Sequence, residues 1–180
     1  MTMFTDGLYD ANINSAMGGK MAKAENRLKG SWRNIVSLPI SMANIQAGHT
    51  WYIDANKIAR TIGSLAGYPE DEALRVGAGI LSALSPMRDW DVNVSQAILL
   101  VTDGVRKHFT VQHNKAVAIM LGRDPMKVLG GRATKTKAFY QAIVEPNNDE
   151  TTPVIDRHAV AVYMGRSVSD RELKTLDSSK

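Results

Sequence analysis

The feature of this sequence that most constrains its fold is a helical spacing of apolar residues, repeated between glycine and proline breaks. From about His49 to Ala66, apolar side chains fall three and four positions apart, as they do along one face of an α-helix. The next segment begins at Pro69 with acidic residues in its first turn and stops before Pro86, as helices commonly do. No segment alternates between apolar and polar residues as a half-buried strand would. The sequence therefore predicts an all-α fold.

Further helices are predicted along the rest of the chain. They cover Asp89 to Val105, Asn114 to Leu121, a single turn from Asp124 to Val128, Thr134 to Val144, and Ile155 to Met164. Residues 1–30 are polar and rich in glycine and asparagine, which predicts a flexible arm with a short helix over 22–28. We therefore expect this arm and one helical domain over 31–180, with a helical hairpin at 125–144 and an aspartate-bearing helix at 155–165.

Composition excludes several classes of site. The chain has 180 residues, of which 44% are apolar and 22% charged, which is typical of a globular protein. It has no cysteine, which excludes disulfides, thiolate metal sites and cysteine nucleophiles. No apolar run reaches the roughly 18–20 residues that span a bilayer, and the N-terminus lacks the pattern of a secretory signal. The four histidines share no metal-ligand spacing. We expect a cytoplasmic protein without membrane contact, bound metal or cofactor, and the sequence leaves its oligomeric state open.

Positive charge is concentrated in one part of the chain. The segment from Arg106 to Lys137 carries eight basic residues against one acidic residue, Asp124, although the whole chain has a net charge of only +4. Such a segment is expected where a polyanion binds. A solvated helix face would have the same composition, so charge alone leaves both interpretations open.

The segment from Val128 to Phe139 has the spacing of a helical hairpin. A short helix, two glycines and a second helix follow one another with almost no linker. This arrangement directs the unpaired N–H groups at the start of the second helix toward one point, where they can hold a phosphate without reading any base. An ordinary turn between two helices would look the same. The residues that we predict to contact DNA are Gly130, Gly131, Arg132, Thr134 and Lys137, with Lys135 beside them.

A second pattern follows about twenty residues later. Asp156 comes directly after the apolar pair Val154-Ile155 and directly before an amphipathic helix. A carboxylate in this position can cap the helix. It can also stand at the edge of a cleft, where its negative charge would stabilise a developing cation.

Together these segments resemble the helix-hairpin-helix DNA glycosylase superfamily of the endonuclease III type. The hairpin of that family reads Leu-Pro-Gly-Val-Gly-Arg-Lys-Thr-Ala and aligns with Leu129 to Lys137, matching at Leu129, Gly131, Lys135 and Thr136. Its Val-Asp-Thr-His-Val sequence is similar to the segment from Ile155 to Ala159. Ile80 to Ser85 resembles its Leu-Leu-Ser-Ala-Gln-Ala-Thr segment.

The resemblance implies a helix-hairpin-helix glycosylase-like fold that binds double-stranded DNA and acts on a base flipped out of the duplex. Asp156 then takes the position of the aspartate that assists cleavage of the N-glycosidic bond. Lys135 takes the position of the lysine that forms a Schiff base in the members that also act as lyases. Both assignments suit the chemistry, because a carboxylate stabilises an oxocarbenium-like sugar and an amine can attack it.

The chain also departs from that family. Ala133 replaces the second hairpin glycine, and the iron–sulfur cysteines of many members are absent. The modified pattern resembles small phage-encoded proteins of this fold, among them the alpha-glutamyl/putrescinyl thymine pyrophosphorylases, which suggests a phage protein in the host cytoplasm. A DNA-binding or host-interaction protein that kept the fold and lost the reaction is the alternative, because fold does not determine function.

Three aromatic residues and one glycine-rich run also stand out in the sequence. Trp90 can stack on a base or belong to the core, and Trp51 and Tyr52 are expected in the core. The glycines of the Gly77-Ala78-Gly79 run are expected to allow close helix packing.

Overall fold

The computed structural model describes residues 30–104, 110–131, 134–148 and 153–173, with only the backbone at Thr134. Every regular element in these ranges is an α-helix, so the all-α prediction is confirmed for this part of the chain. The predicted arm, apart from Gly30, and the helix expected over 22–28 lie outside the described residues. The helices are Trp32–Val36 (α1), Met42–Leu65 (α2), Glu70–Leu84 (α3), Trp90–Asp103 (α4), Thr110–Met120 (α5), Pro125–Leu129 (α6), Thr134–Val144 (α7) and Arg157–Met164 (α8).

The chain divides into two compact units. The larger is Pro39–Asp156, and the smaller joins Met1–Leu38 to Arg157–Lys180. This division falls inside the helical domain that the sequence predicts over residues 31–180.

The larger unit is built around α3, which packs against α2, α4, α5, α6 and α7. All residues from Val76 to Leu84 are buried. A helix that is buried on all sides must present apolar or very small side chains to every neighbour, and α3 supplies these with alanine, glycine, isoleucine and leucine. The core formed around it includes Ala59, Ile62, Val76, Ile80, Leu81, Leu84, Ala97, Ile119, Leu129 and Ile143.

Two glycines allow α2 and α3 to approach closely. A Cβ atom on Gly63 would lie 1.9 Å from the carbonyl oxygen of Ala73, and one on Gly77 would lie 1.8 Å from that of Ala59. Two residues further on, toward the opposite face of α3, a Cβ on Gly79 would lie 2.9 Å from side-chain atoms of α5 and α6. The packing role predicted for the Gly77-Ala78-Gly79 run is therefore confirmed.

The start of α2 differs from its prediction. The helix begins at Met42 instead of near His49, and the Ser41 hydroxyl oxygen accepts a hydrogen bond from the N–H of Asn44 at 3.2 Å. All residues from Ser41 to Thr50 are exposed. Because hydrophobic periodicity reports burial, a helix segment that buries nothing carries no such signal.

The smaller unit is held together by contacts between α1 and α8. The ring of Trp32 meets that of Tyr163 edge-on at 5.9 Å, and the Asn34 amide donates to the carbonyl oxygen of Tyr163 at 2.9 Å. After α8, Arg166 pairs with Glu172 at 2.7 Å. The Arg166 guanidinium, followed by the backbone N–H and the hydroxyl of Ser169, lowers the pKa of Glu172 to about 2.

Candidate nucleic-acid interface

The predicted hairpin is formed by α6, a glycine turn and α7. The carboxylate of Asp124 accepts a hydrogen bond from the N–H of Lys127 at 3.1 Å and so caps the start of α6. The helix ends at Leu129, and Gly130 follows with φ 95° and ψ 160°. L-residues with a side chain rarely adopt this conformation, so glycine is required at this position by the backbone. The helix–turn–helix order that the sequence predicts here is confirmed.

The start of α7 is the part of the hairpin that can hold an anion. The first N–H groups of a helix have no partner within it, and the helix dipole makes this end positive. Gly131 is exposed, and among the residues that the structure describes no heavy atom outside its chain neighbours lies within 4 Å of the place where its Cβ would be. A ligand can therefore approach the backbone of the turn closely.

The predicted DNA contacts stand in different positions around this turn. Gly130 and Gly131 form it, Lys135 is exposed in the first turn of α7, and Lys137 is partly buried. Thr134 begins α7, but its side chain lies outside the description, and so does Arg132. Of the predicted contacts, Gly131 and Lys135 are therefore exposed, and Gly130 and Lys137 are partly buried.

One basic residue of the Arg106–Lys137 segment contacts the hairpin from another helix. The ammonium of Lys115, on α5, donates a hydrogen bond to the carbonyl oxygen of Leu129 at 2.9 Å. Its side chain is partly buried, whereas Arg123, Lys127 and Lys135 are exposed. The sequence groups all of these residues as one basic segment and gives no sign that Lys115 is engaged by the backbone.

Four aromatic side chains from three helices meet beside α7. We call Trp51 and Tyr52 of α2, Trp90 of α4 and Phe139 of α7 the aromatic cluster. The ring centroids of Trp51 lie 4.8 Å from those of both Tyr52 and Trp90, and 6.1 Å from that of Phe139. Tyr52 and Trp90 each lie 6.3 Å from Phe139. All four rings are partly buried and pack against the core, as expected for Trp51 and Tyr52, and the structure assigns the same packing to Trp90.

Asp156 lies close enough to the aromatic cluster to act on it electrostatically. Burial, and then the negative charge of Asp156, raise the pKa of the Tyr52 hydroxyl above its usual value. Asp156 is partly buried and immediately precedes α8 in the chain. A raised pKa keeps the Tyr52 hydroxyl protonated at neutral pH, so it can donate a hydrogen bond.

One ring of the aromatic cluster, Phe139, belongs to the hairpin. Lys135 is four residues before Phe139, so both lie on the same face of α7. Phe139 contacts Tyr52, which senses Asp156. Sequence analysis missed this role of Phe139, although the spacing of four from Lys135 was visible. The arrival of α2 and α4 at the same place could not be read from local sequence.

Neither metal ligation nor a membrane span is found in the parts of the chain described. Within those residues, no group of three or more histidine, aspartate or glutamate side chains could hold a metal ion. None of the described helices is long and apolar enough to cross a membrane.

Comparison with known proteins assigns the chain to a family. A model described as a family of unknown function, DUF7178, matches residues 19–180. The chain belongs to the DUF7178 family. No curated protein and no solved structure matches it. For this DUF7178 member, function must be inferred from the chemistry of the hairpin and the aromatic cluster.

Proposed function

We propose that this DUF7178 protein binds double-stranded DNA through the α6–α7 hairpin in the manner of helix-hairpin-helix glycosylases. The observation that carries the proposal is the hairpin itself: a short helix, a turn containing Gly130 and Gly131, and α7 with Lys135 exposed in its first turn. Backbone N–H groups at a helix start, with lysines around them, suit a DNA phosphate and carry no base preference.

The positive charge beside the hairpin supports the same ligand. Arg123 and Lys127 are exposed on either side of Asp124, just before and within α6, and Lys135 is exposed at the start of α7. Each lysine or arginine that neutralises a DNA phosphate releases counterions, so affinity falls as salt rises. A duplex oligonucleotide titrated between about 50 and 200 mM salt should show this fall for unrelated sequences alike. Binding that is absent, or that is independent of salt, would remove the proposal.

We further propose that Asp156 and the aromatic cluster form the place where a base is processed. Aromatic rings stack on unpaired bases, and a partly desolvated carboxylate stabilises positive charge on a sugar whose glycosidic bond is breaking. This proposal is supported by the pKa of Tyr52, which the negative charge of Asp156 raises after burial, so one ring of the cluster lies within the electrostatic reach of the carboxylate. Lys135, on the face of α7 that bears Phe139, is the candidate amine for a Schiff base.

Base processing has a direct test. The protein is incubated with duplexes bearing a panel of damaged and modified bases, and abasic sites and strand breaks are scored. Release of a base supports a glycosylase, and strand cleavage that also requires Lys135 supports a lyase. The alternative is a DNA-binding or host-interaction protein without chemistry. The packing of all four rings against the core favours this alternative, and intact substrates throughout the panel would establish it.

A further inference from the structure

Three helices of the larger unit have a C-terminal carbonyl group bound by a side chain from elsewhere in the chain. The Tyr68 hydroxyl donates to the carbonyl oxygen of Met120 at 2.9 Å, at the end of α5. The Asn56 amide donates to that of Ile143 at 2.7 Å, in the last turn of α7. The Lys115 ammonium donates to the carbonyl oxygen of Leu129, the last residue of α6, at 2.9 Å. Carbonyl groups at helix ends lack partners within the helix, so each of these bonds satisfies an acceptor that would otherwise need water.

The third of these bonds differs from the other two in charge. A phenol and an amide satisfy the ends of α5 and α7, so a neutral group is sufficient for the purpose. At the end of α6 the donor is an ammonium group, and it brings a full positive charge to the residue directly before Gly130. Lys115 therefore supplies a positive charge in addition to the hydrogen bond, and the two neutral donors do not.

The position of α6 in the hairpin explains what the charge does. The C-terminal end of a helix is partly negative, and the N-terminal end of the next helix is partly positive. In this hairpin the two ends are separated only by residues 130–133. A phosphate drawn to the start of α7 would therefore meet the negative end of α6. A cation bound to the carbonyl oxygen of Leu129 offsets that repulsion. It also holds the last turn of α6 in place, directly before Gly130.

We propose that Lys115 is the positioning residue of the hairpin: it holds the glycine turn in its phosphate-binding shape and offsets the negative end of α6. This inference rests on the proposed DNA binding. Lys115 is partly buried and its ammonium is bound to the backbone, whereas Arg123, Lys127 and Lys135 are exposed. The exposed residues contact phosphates directly, and Lys115 acts through the turn.

The variant Lys115→Met tests the proposal, because methionine keeps an unbranched apolar stem and removes both the donor and the charge. Duplex DNA affinity should fall about tenfold, as expected for the loss of a charge-assisted hydrogen bond. The slope of log affinity against log salt should stay nearly unchanged. In Lys135→Gln, a variant at an exposed lysine of the hairpin, the slope should drop by about 0.9. A drop of that size in Lys115→Met would make Lys115 a phosphate ligand and overturn the proposal.

Tyr68→Phe is the matched control, since it removes one bond to a helix end and alters no charge. Both variants should lose some thermal stability, but only Lys115→Met should lose DNA affinity. Amide hydrogen exchange at Val128, whose N–H donates to the carbonyl oxygen of Asp124 in α6, should speed up in Lys115→Met and not in Tyr68→Phe, and Lys115→Arg should restore both affinity and protection.

The two proposals fail in different ways. Wild-type protein that binds DNA, together with Lys115→Met that binds it equally well, overturns the role of Lys115 and leaves the proposed function standing. Wild-type protein that binds no duplex overturns both.

Discussion

Two pairs of glycines in this chain serve opposite physical purposes. Gly63 and Gly77 lie where α2 meets α3, and a Cβ on either would fall within 1.9 Å of a backbone oxygen on the other helix. Gly130 and Gly131 lie in the hairpin, and a Cβ on either would meet no other atom of the described ranges within 4 Å. The first pair is needed because space is lacking, while the hairpin pair sits beside free space.

The difference separates the part of the molecule that is fixed by packing from the part that can accept a ligand. Backbone contact between α2 and α3 leaves no room for change, and a ligand has no access there. In the hairpin, Gly130 is required by its positive φ alone, and the open side of Gly131 is available to a partner. This contrast agrees with the proposed binding of a phosphate at the turn.

The largest effect is expected at the packed pair. In Gly77→Ala the new methyl group meets the carbonyl oxygen of Ala59, a backbone atom that cannot rotate away. Such overpacking should cost about 4 kcal/mol of unfolding free energy, at the upper end of single substitutions. The melting temperature should fall by roughly 10 °C or more. Chemical unfolding measures the loss of unfolding free energy, and thermal unfolding measures the fall in melting temperature.

Gly131→Ala is the matched control in the hairpin. Its Cβ would enter open space and its φ is not positive, so stability should change by less than about 0.5 kcal/mol. Affinity for DNA should fall because the methyl group occupies the approach to the turn. Equal destabilisation by the two alanine substitutions would contradict the distinction between the pairs.

The variant Asp156→Asn tests whether the Asp156 carboxylate takes part in a reaction. Asparagine caps a helix about as well as aspartate, so the melting temperature should hardly change, and DNA binding should persist or tighten. If Asp156 stabilises a cationic sugar, base release should slow by about 10²–10³-fold, roughly 3–4 kcal/mol.

The base-release assay decides between a catalytic carboxylate and a helix cap. Wild-type protein that releases no base, with an indistinguishable variant, would identify Asp156 as a cap and the protein as a binding module.

Charge reversal tests the electrostatic part of the hairpin. Lys135→Glu combined with Lys137→Glu should weaken binding to all duplex sequences equally, by more than about tenfold near physiological salt. The control is Lys57→Glu with Arg60→Glu, which changes the net charge equally. These residues follow Asn56 on α2, and the Asn56 amide contacts the C-terminal end of α7, whereas Lys135 lies in its first turn. An equal loss of affinity in the control would show that net charge, and not the hairpin, governs binding.

Gly48→Ala should produce the smallest effect, and with the opposite sign to that of Gly77→Ala. Gly48 lies in the exposed half of α2 with no atom near its Cβ position. Alanine is favoured over glycine inside a helix, so the unfolding free energy should rise by about 0.5–1 kcal/mol. A decrease would show that the start of α2 is not helical in solution.

Much of the fold could be predicted from local sequence, because its signals are local. Glu70–Leu84 and Thr134–Val144 have the bounds that their glycine and proline breaks indicate. The hairpin was visible because Asp124, Pro125 and two glycines mark its ends. The exposed start of α2 was missed because it buries no apolar stripe, and α8 begins at Arg157 instead of Ile155.

The candidate site was less predictable because it is formed by distant parts of the chain. Nothing near Phe139 indicates that it meets Trp51 and Trp90, since those contacts depend on how three helices pack. The bond from Lys115 to Leu129 likewise depends on where α5 lies beside α6. Sequence pattern could name Lys135 and Asp156 as candidates, but the aromatic cluster could be found only from the tertiary structure.

The central claim, that the hairpin binds the DNA backbone, is tested most directly by nuclear magnetic resonance. Isotope-labelled protein is titrated with two duplexes of unrelated sequence, and backbone amide shifts are followed residue by residue. The account predicts that the largest changes occur at Gly131, Thr134 and Lys135, that they are the same for both duplexes, and that amides of buried α3 stay unmoved. Changes confined to other surfaces, or no changes with either duplex, would contradict it.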